Sequence, residues 1–484
     1  MNKSDRSMRT HSRLFINGEW VQATGDRYTD LFDPSSGAVS GRLIHASKAD
    51  LVAAVETSRA GYSAWRNRSG VGRCKHMREA ANLLRERSLE IASLLTREQG
   101  KPRRESGIEV AVSADLLDWF AEEGQRAYGR LIPARSPGIT QSVLREPVGP
   151  VAAFSPWNFP ISQTLRKIAP ALAAGCSVVV NPPEETPAAT SVLAEIFRDA
   201  SFPPGVVNIV YGPLSEVSEY LISHTAIRQV TFTGPAREGK PIAALAGMHM
   251  KRCMLELGGH APTLIFDDAD MEMAARLLTF AKFRHSGQVC TSPTRFLVQA
   301  GVYEAFKSRF VNAAKQIRVG NGKDADVTMG PMLSARRLQE VEDLIRDATE
   351  KGARIETGGE RLGKVGNFLA PTILSGVTPE MRIMNEELYG PVALLMAFDS
   401  TEDAIREANR LSFGLASYAF TRSAITAQRL TSELEVGMLS INHLGFALPE
   451  TPFSGVKDSG YGSDGGAEAV DSFLTTKFVT HANA

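Results

Sequence analysis

Three side chains stand where they could do covalent chemistry on a carbonyl. Cys290 lies in a short polar stretch, His285-Ser286-Gly287-Gln288-Val289-Cys290-Thr291-Ser292, between a helical pattern and an apolar run, the kind of loop that carries function. Cys176 differs: it sits inside Ala171-Leu172-Ala173-Ala174-Gly175-Cys176-Ser177-Val178-Val179-Val180, where a thiol is shielded and raised in pKa. A free thiol with pKa around 8.5 is only a few per cent thiolate at neutrality, so a nucleophilic Cys290 needs a base or a nearby positive charge. Glu256, in Met254-Leu255-Glu256-Leu257-Gly258-Gly259, is a lone carboxylate at an apolar strand end. Desolvation there raises its pKa toward the range that suits a general base for water; a carboxylate turned to solvent at a strand edge is the other reading. Asn158, in Phe154-Ser155-Pro156-Trp157-Asn158-Phe159-Pro160, offers an uncharged amide held between two prolines. Such a donor stabilises a developing oxyanion without pairing with a thiolate; the other reading is a turn asparagine bonded to its own backbone.

A glycine turn, Thr233-Gly234-Pro235-Ala236-Arg237-Glu238-Gly239-Lys240-Pro241, nearly spells a nucleoside-triphosphate loop. Pro241 stands where that loop needs a magnesium-binding hydroxyl, so ATP and GTP are disfavoured. A strand, a glycine turn and a helix start still form an anion site, and a dinucleotide pyrophosphate fits it.

These residues need a scaffold. Ser47-Lys48-Ala49-Asp50 reads as a capping box opening a helix from Ser47 to Arg66, after a polar leader. The apolar stripe Leu83, Leu84, Ile91, Leu94, Leu95 predicts one longer helix from Val71 to Gln99. Between about 149 and 266, apolar runs at Val151–Phe154, Val178–Val180, Val206–Val210, Gln229–Phe232 and Thr263–Phe266 alternate with helical patterns at Ile161–Ala174, Ala188–Ala200, Leu214–His224 and Glu238–Ala246, the signature of a parallel sheet with right-handed crossovers. Ligands bind beyond the carboxyl ends of such strands, which selects the loops starting at Ser155, Asn181, Tyr211 and Thr233. A second α/β pattern follows to about 445, with helices at Met271–Phe283, Glu304–Ile317 and Arg336–Thr349 and strands at Arg295–Val298, Val392–Phe398, Ser417–Phe420 and Met438–Ile441. Ala127 to Glu146 reads as an extended polar arm, either joining a sheet in another subunit or folding as a hairpin on its own chain.

Composition narrows the class. In 484 residues, 54 basic and 54 acidic side chains cancel, so the electrostatic footprint of a nucleic-acid or membrane-surface binder is missing. The 43% apolar and 22% charged content is that of an ordinary globular protein. No apolar run reaches bilayer length, and the start Met1-Asn2-Lys3-Ser4-Asp5-Arg6 lacks a secretory apolar stretch. The expected location is therefore cytoplasmic. Cys74, Cys176, Cys253 and Cys290 are widely spaced, with no zinc-ligand pattern, so free thiols and no metal are expected.

Five motifs, in order, resemble the aldehyde dehydrogenase superfamily: Pro156-Trp157-Asn158-Phe159-Pro160, Phe232-Thr233-Gly234, Glu256-Leu257-Gly258-Gly259, Gly287-Gln288-Val289-Cys290 and Glu386-Glu387-Leu388-Tyr389-Gly390-Pro391. The resemblance is strongest to the NAD(P)-dependent succinate-semialdehyde dehydrogenases and runs from about residue 12 to the C-terminus. It implies an α/β fold in which a Rossmann-type NAD-binding domain (1–125 and 147–255) is followed by a catalytic domain (256–446). It also implies a small β oligomerisation arm (126–146 and 466–484) and a linking segment (447–465). It makes Cys290 the nucleophile toward an aldehyde, Asn158 with the Cys290 N–H the oxyanion donors, Glu256 the base that hydrolyses the thioester and Lys167 its proton relay or tuning group. For NAD, it implies contacts from Trp157, Asn181, Glu184, Gly234, Gly239, Glu387 and Tyr389. A carboxylate at Glu184 repels a 2′-phosphate and so disfavours NADP.

Arg166 and Arg284 match positions that grip the distal carboxylate of a semialdehyde, though either guanidinium could serve a structural ion pair instead. A homodimer or homotetramer is implied. Other semialdehydes, a broad-specificity enzyme, a CoA-acylating enzyme and a non-catalytic dinucleotide binder are the competing readings; Glu256 argues against CoA. Departures from the pattern are Asn181 for a lysine, Pro235 for a serine, Ala447-Leu448 where a serine is common, Ser292 for a second cysteine, and His260 and His285 for a lysine and an asparagine.

Overall fold

The computed structural model describes residues 13–482; the polar start Met1–Arg6 and the last residues of the expected arm lie outside the described residues. The Ser47 capping box forms, with the Ser47 hydroxyl accepting from Asp50 N–H and the Asp50 carboxylate accepting from Ser47 N–H, and opens the helix Lys48–Arg66. The single helix expected from Val71 to Gln99 is instead two, Gly70–Glu86 and Ser88–Gln99, parted at Arg87. A further helix, Arg103–Glu123, follows. The apolar stripe runs across the Arg87 break without a change of phase, so periodicity did not reveal it.

Five parallel strands form the centre of an eight-stranded sheet: Val207–Ile209, Val178–Asn181, Val151–Phe154, Gln229–Gly234 and Arg252–Leu257, in that spatial order. The chain runs outward from Val151–Phe154 on one side, then returns to start the other side at Gln229–Gly234. Their shared boundary is the switch point, where the loops leaving two neighbouring strands diverge and open a crevice. The loop with Asn158 and the turn with Gly234 are those two loops.

Three parts of this sheet depart from the expected plan. The expected strand Thr263–Phe266 forms through Ile265 only and belongs to the second sheet, within Ala261–Ile265, and Arg252–Leu257 takes its place. The leader contributes an antiparallel edge through Arg13–Ile16 and Glu19–Gln22. Gly460–Tyr461, within the expected linking segment, pairs antiparallel with Leu255 and Glu256. Ala469, Val470, Phe473 and Leu474 then pack into the same core as the five central strands.

The second sheet orders Arg354–Thr357, Thr372–Ser375, Val392–Phe398, Pro293–Gln299, Ala261–Ile265, Ala416–Phe420 and Met438–Ile441, parallel except for its first strand. Its core is separate from the first. Ile139–Pro147 is the central strand of a three-stranded sheet, flanked by Arg130–Ile132 and by Leu474–Ala482 of the same chain. The hairpin alternative for this arm is thus what the single chain forms. Leu131 and Phe478 are exposed on it.

Candidate active site

Glu256 and Cys290 meet at the junction of the two sheets. Glu256 is near the carboxyl end of Arg252–Leu257, in register with Thr233, and Cys290 is on the loop just before Pro293–Gln299. Cys290, Glu256, Asn158, Trp157, Gly234, Glu387 and Tyr389 line one pocket. Glu256 is buried, and among the described residues its carboxylate is faced only weakly, by the Cys290 thiol and the Thr233 hydroxyl. Burial raises its pKa to about 7, with the Asp464 charge adding and the Lys167 charge opposing. Burial, followed by the neighbouring Glu256 charge, pushes the Cys290 thiol well above the ordinary range. The sulfur is therefore held in its protonated form, with the Glu256 carboxyl beside it.

Asn158 Nδ2 donates to Tyr389 Oη at 2.5 Å and to Gln288 O at 3.3 Å. Trp157 stands edge-on to Tyr389, ring centres 5.8 Å apart. Glu387 is half-buried, and its desolvation raises the carboxyl to about 7. Its carboxylate lies against Gly258, where an added Cβ would be 2.2 Å from Glu387 Oε1 and would push that carboxylate aside.

A larger cavity of about 630 Å³, lined in part by Asn181, Glu184, Glu185, Phe154 and Arg237, shares Trp157, Thr233, Gly234, Pro235 and Arg337 with the Cys290 pocket. Two of its expected cofactor residues are already engaged. Asn181 Nδ2 donates to the carbonyls of Val210 and Gly212, both at 3.2 Å. Glu184 Oε2 accepts from Thr29 at 3.3 Å, and its other oxygen is 3.0 Å from His45 Nε2. Gly239 lines neither space; it lets the helix Ala236–Met248 close on Leu257, whose Cδ2 would be 2.3 Å from an added Cβ.

The arginines differ from each other. Arg166 is buried, donates to Asp464 O at 3.3 Å and Ala447 O at 2.6 Å, and lies over the Phe453 ring. Arg284 is half-buried over Phe159 and forms no ion pair or side-chain hydrogen bond among the described residues. Its charge nevertheless acts on Cys290.

His285 adopts φ 48°, a left-handed position where asparagine and histidine are the tolerated side chains, so its exchange for the expected asparagine is understandable. Burial lowers His260 to about 3, and its ring nitrogen Nε2 is 3.0 Å from Ile383 O, so the neutral ring donates there.

Sequence reasoning missed Asp464. It forms a buried ion pair with Lys167 at 2.5 Å and accepts from Thr233 Oγ1 at 3.3 Å. Its signal was a lone carboxylate among Tyr461-Gly462-Ser463-Asp464-Gly465-Gly466. Asp464→Ala leaves the Lys167 ammonium buried and unpaired, and a loss of about 3–5 kcal/mol is expected. A drop in the urea midpoint of that size, at unchanged slope, checks it.

With this geometry in view, comparison with known proteins is decisive: the aldehyde dehydrogenase family matches residues 20–479. The chain belongs to the aldehyde dehydrogenase family. This aldehyde dehydrogenase is 44% identical over 466 residues to a putative 4-(hydroxymethyl)benzenesulfonate dehydrogenase, TsaD2, of Comamonas testosteroni, covering 96% of this chain and 97% of that one. It is 37% identical over 467 residues to a 3-sulfolactaldehyde dehydrogenase of Pseudomonas putida, covering 96% of each. The crystal structure of succinate-semialdehyde dehydrogenase from Burkholderia pseudomallei superposes with a TM-score of 0.96 at 36% identity, over 99% of both chains. Among the described residues no helix is long and apolar enough to cross a membrane and no His, Cys, Asp and Glu side chains cluster as metal ligands.

Proposed function

We propose that this aldehyde dehydrogenase oxidises a small anionic aldehyde, succinate semialdehyde being the type, to its carboxylate with NAD, through a thioester on Cys290. The observation that supports it is continuity: the large cavity and the Cys290 pocket share Trp157, Gly234 and Arg337, so one elongated ligand can reach from Glu184 to the sulfur. The residues fit a dinucleotide. Glu387 would hold the nicotinamide ribose, Tyr389 and Trp157 would frame the ring, and the helix start after Pro235 would face the pyrophosphate. The Glu184 carboxylate favours NAD over NADP. Bound NAD supplies a hydride acceptor and a positively charged ring.

The protein's own groups do the rest. Glu256 is placed to take the thiol proton, and the sulfur then adds to the aldehyde carbon. Of the two Asn158 hydrogen bonds, the one to Gln288 O is the longer, so that hydrogen is the one most readily turned to the oxyanion. The Cys290 N–H has no acceptor among the described residues and is the second donor. Once hydride has left the tetrahedral carbon for the bound NAD and Glu256 has given up the thiol proton to solvent, the freed carboxylate takes a proton from the water that hydrolyses the thioester, and the acid is released as the sulfur leaves and is reprotonated.

Arg284 is the anion's partner in this reading, because its donors are free while those of Arg166 are partly committed to backbone. A sulfonated aldehyde is a second reading, favoured by a specific observation. Ala447 and Leu448 offer no hydroxyl, so the serine common in the succinate-semialdehyde enzymes is missing, and a guanidinium pairs with a sulfonate as well as with a carboxylate. The relatives named for a benzenesulfonate and for sulfolactaldehyde agree with it. The three-stranded sheet, with Leu131 and Phe478 exposed, is the surface a homodimer or homotetramer would cover.

Specificity constants for succinate semialdehyde, a sulfonated aldehyde and propionaldehyde, with NAD and NADP in parallel, test the proposal. An anionic substrate and NAD are expected to win, and a preference for propionaldehyde or NADP refutes it. Arg284→Ala is expected to raise KM for the anionic aldehyde about ten- to hundredfold, the worth of a charge-assisted hydrogen bond, and to leave propionaldehyde nearly unchanged. Equal losses on both would make Arg284 structural.

A further inference from the structure

The helix Arg103–Glu123 takes no part in the chemistry above, yet two carboxylates on it reach both loops that carry that chemistry. Glu105 and Glu109 are four residues apart and so share a face. Glu109 Oε1 accepts from Ile161 N–H at 2.9 Å and Ser162 N–H at 3.2 Å, the start of the helix that follows Asn158. Its other oxygen makes a buried ion pair with Lys101, whose Nζ is 3.5 Å from Asn158 O. Gln99 Nε2 donates to Asn158 O at 3.0 Å. The oxyanion loop is thereby tied to this helix.

Glu105 ties the other loop. Its Oε2 accepts from His285 N–H at 2.9 Å. His285 begins three successive left-handed residues, with φ of 48° at His285, 54° at Ser286 and 69° at Gly287, and Cys290 follows three residues later. Left-handed backbone at two side-chain-bearing residues persists only where its surroundings over-determine it. The Ser286 hydroxyl donating to Gly330 O at 2.6 Å is the second restraint on that run.

We propose that Glu105 is a positioning residue for the nucleophile: by holding His285 N–H from the same helix face that holds the Asn158 loop through Glu109, it sets the separation of the Cys290 sulfur from the Asn158 amide. The inference rests on the roles assigned to Cys290 and Asn158 above. Lys101 and Arg284 both act on the Glu105 charge, so a role through charge must be separated from a role through reach.

Substitution separates them. Gln keeps an acceptor at the same length without charge, Asp keeps the charge but is one methylene short, and Ala keeps neither. With propionaldehyde and NAD, Glu105→Asp and Glu105→Ala are expected to lose about ten- to hundredfold in kcat, as a sub-ångström to 1 Å misplacement does. Glu105→Gln should stay close to wild type, and NAD affinity from fluorescence titration should be unchanged in all three. Should Ala fail to fold, Asp against Gln still decides. An active Asp with an inactive Gln, an Asp no slower than Gln, or losses confined to anionic aldehydes would each overturn the proposal, the last by making Glu105 a partner of Arg284. Cys290→Ser is assayed alongside: turnover retained there refutes the nucleophile assignment itself, a failure distinct from any pattern within the Glu105 series.

Discussion

Cys290→Ser is expected to lower dehydrogenase turnover by a factor on the order of 10⁴ or more, the scale on which hydrolytic enzymes lose activity when their nucleophile is removed. Burial already holds the Cys290 thiol well above its ordinary range, and a serine hydroxyl in the same place is a far weaker acid still. The neighbouring Glu256 carboxyl, at about 7, is the proposed base, and it is far too weak to take a proton from an alcohol to any useful extent. The large cavity is built from other side chains, Asn181, Glu184 and Arg237 among them, so NAD affinity should survive the change. Absorbance of NADH under saturating substrate gives the first quantity and fluorescence titration the second. Turnover near the wild-type rate would mean that the sulfur is not the attacking atom.

Much of this site was legible because its residues announce themselves by contrast with their neighbours. Glu256 is the only charge in an apolar strand end, Cys290 a thiol in a polar loop between a helical pattern and an apolar run, and Asn158 the amide fixed between prolines. Each contrast survives in one dimension, and the strands and helices around them follow from periodicity, which is also local. Asp464, Glu105 and Glu109 were not legible for the opposite reason. They sit among glycines or on a helix rich in charge, and their importance comes only from what the fold brings to them: Lys167 from 297 positions away and His285 from 180.

The two sheets were separable by sequence, but the assignment of Thr263–Phe266 to the first was not correct. An apolar parallel strand carries no mark of which sheet will receive it. The leader strands Arg13–Ile16 and Glu19–Gln22 escaped notice because they are short edge strands whose pairing partner, near Ile209, is remote. The expected cofactor contacts at Asn181 and Glu184 show the same limit from the other side. Both residues line the large cavity, yet Asn181 spends its amide hydrogens on backbone carbonyls and Glu184 accepts from Thr29 and lies 3.0 Å from His45.

Glu256→Gln separates the two halves of the proposed reaction. The amide fills the same space and is still able to accept a hydrogen bond, but it cannot take a proton from water, so hydrolysis of the thioester should slow by about 10²–10⁴, the usual worth of a general base. A pre-steady-state burst of NADH followed by a slow steady rate is the expected trace, because acyl-enzyme then accumulates. The wild-type pH profile carries an independent signature. Burial lifts the Glu256 carboxyl to about 7, so it is protonated and idle as a base below that pH and active above it; deacylation should fall as pH drops through about 7. The glutamine variant has no such group and should lose that acidic limb while keeping whatever alkaline behaviour the thiol imposes. Wild-type-like deacylation in Glu256→Gln, or an unchanged acidic limb, would assign the base to another residue; the nearest candidate is Glu387, which lines the same pocket and is also near 7, whereas Asp464 is already paired with Lys167.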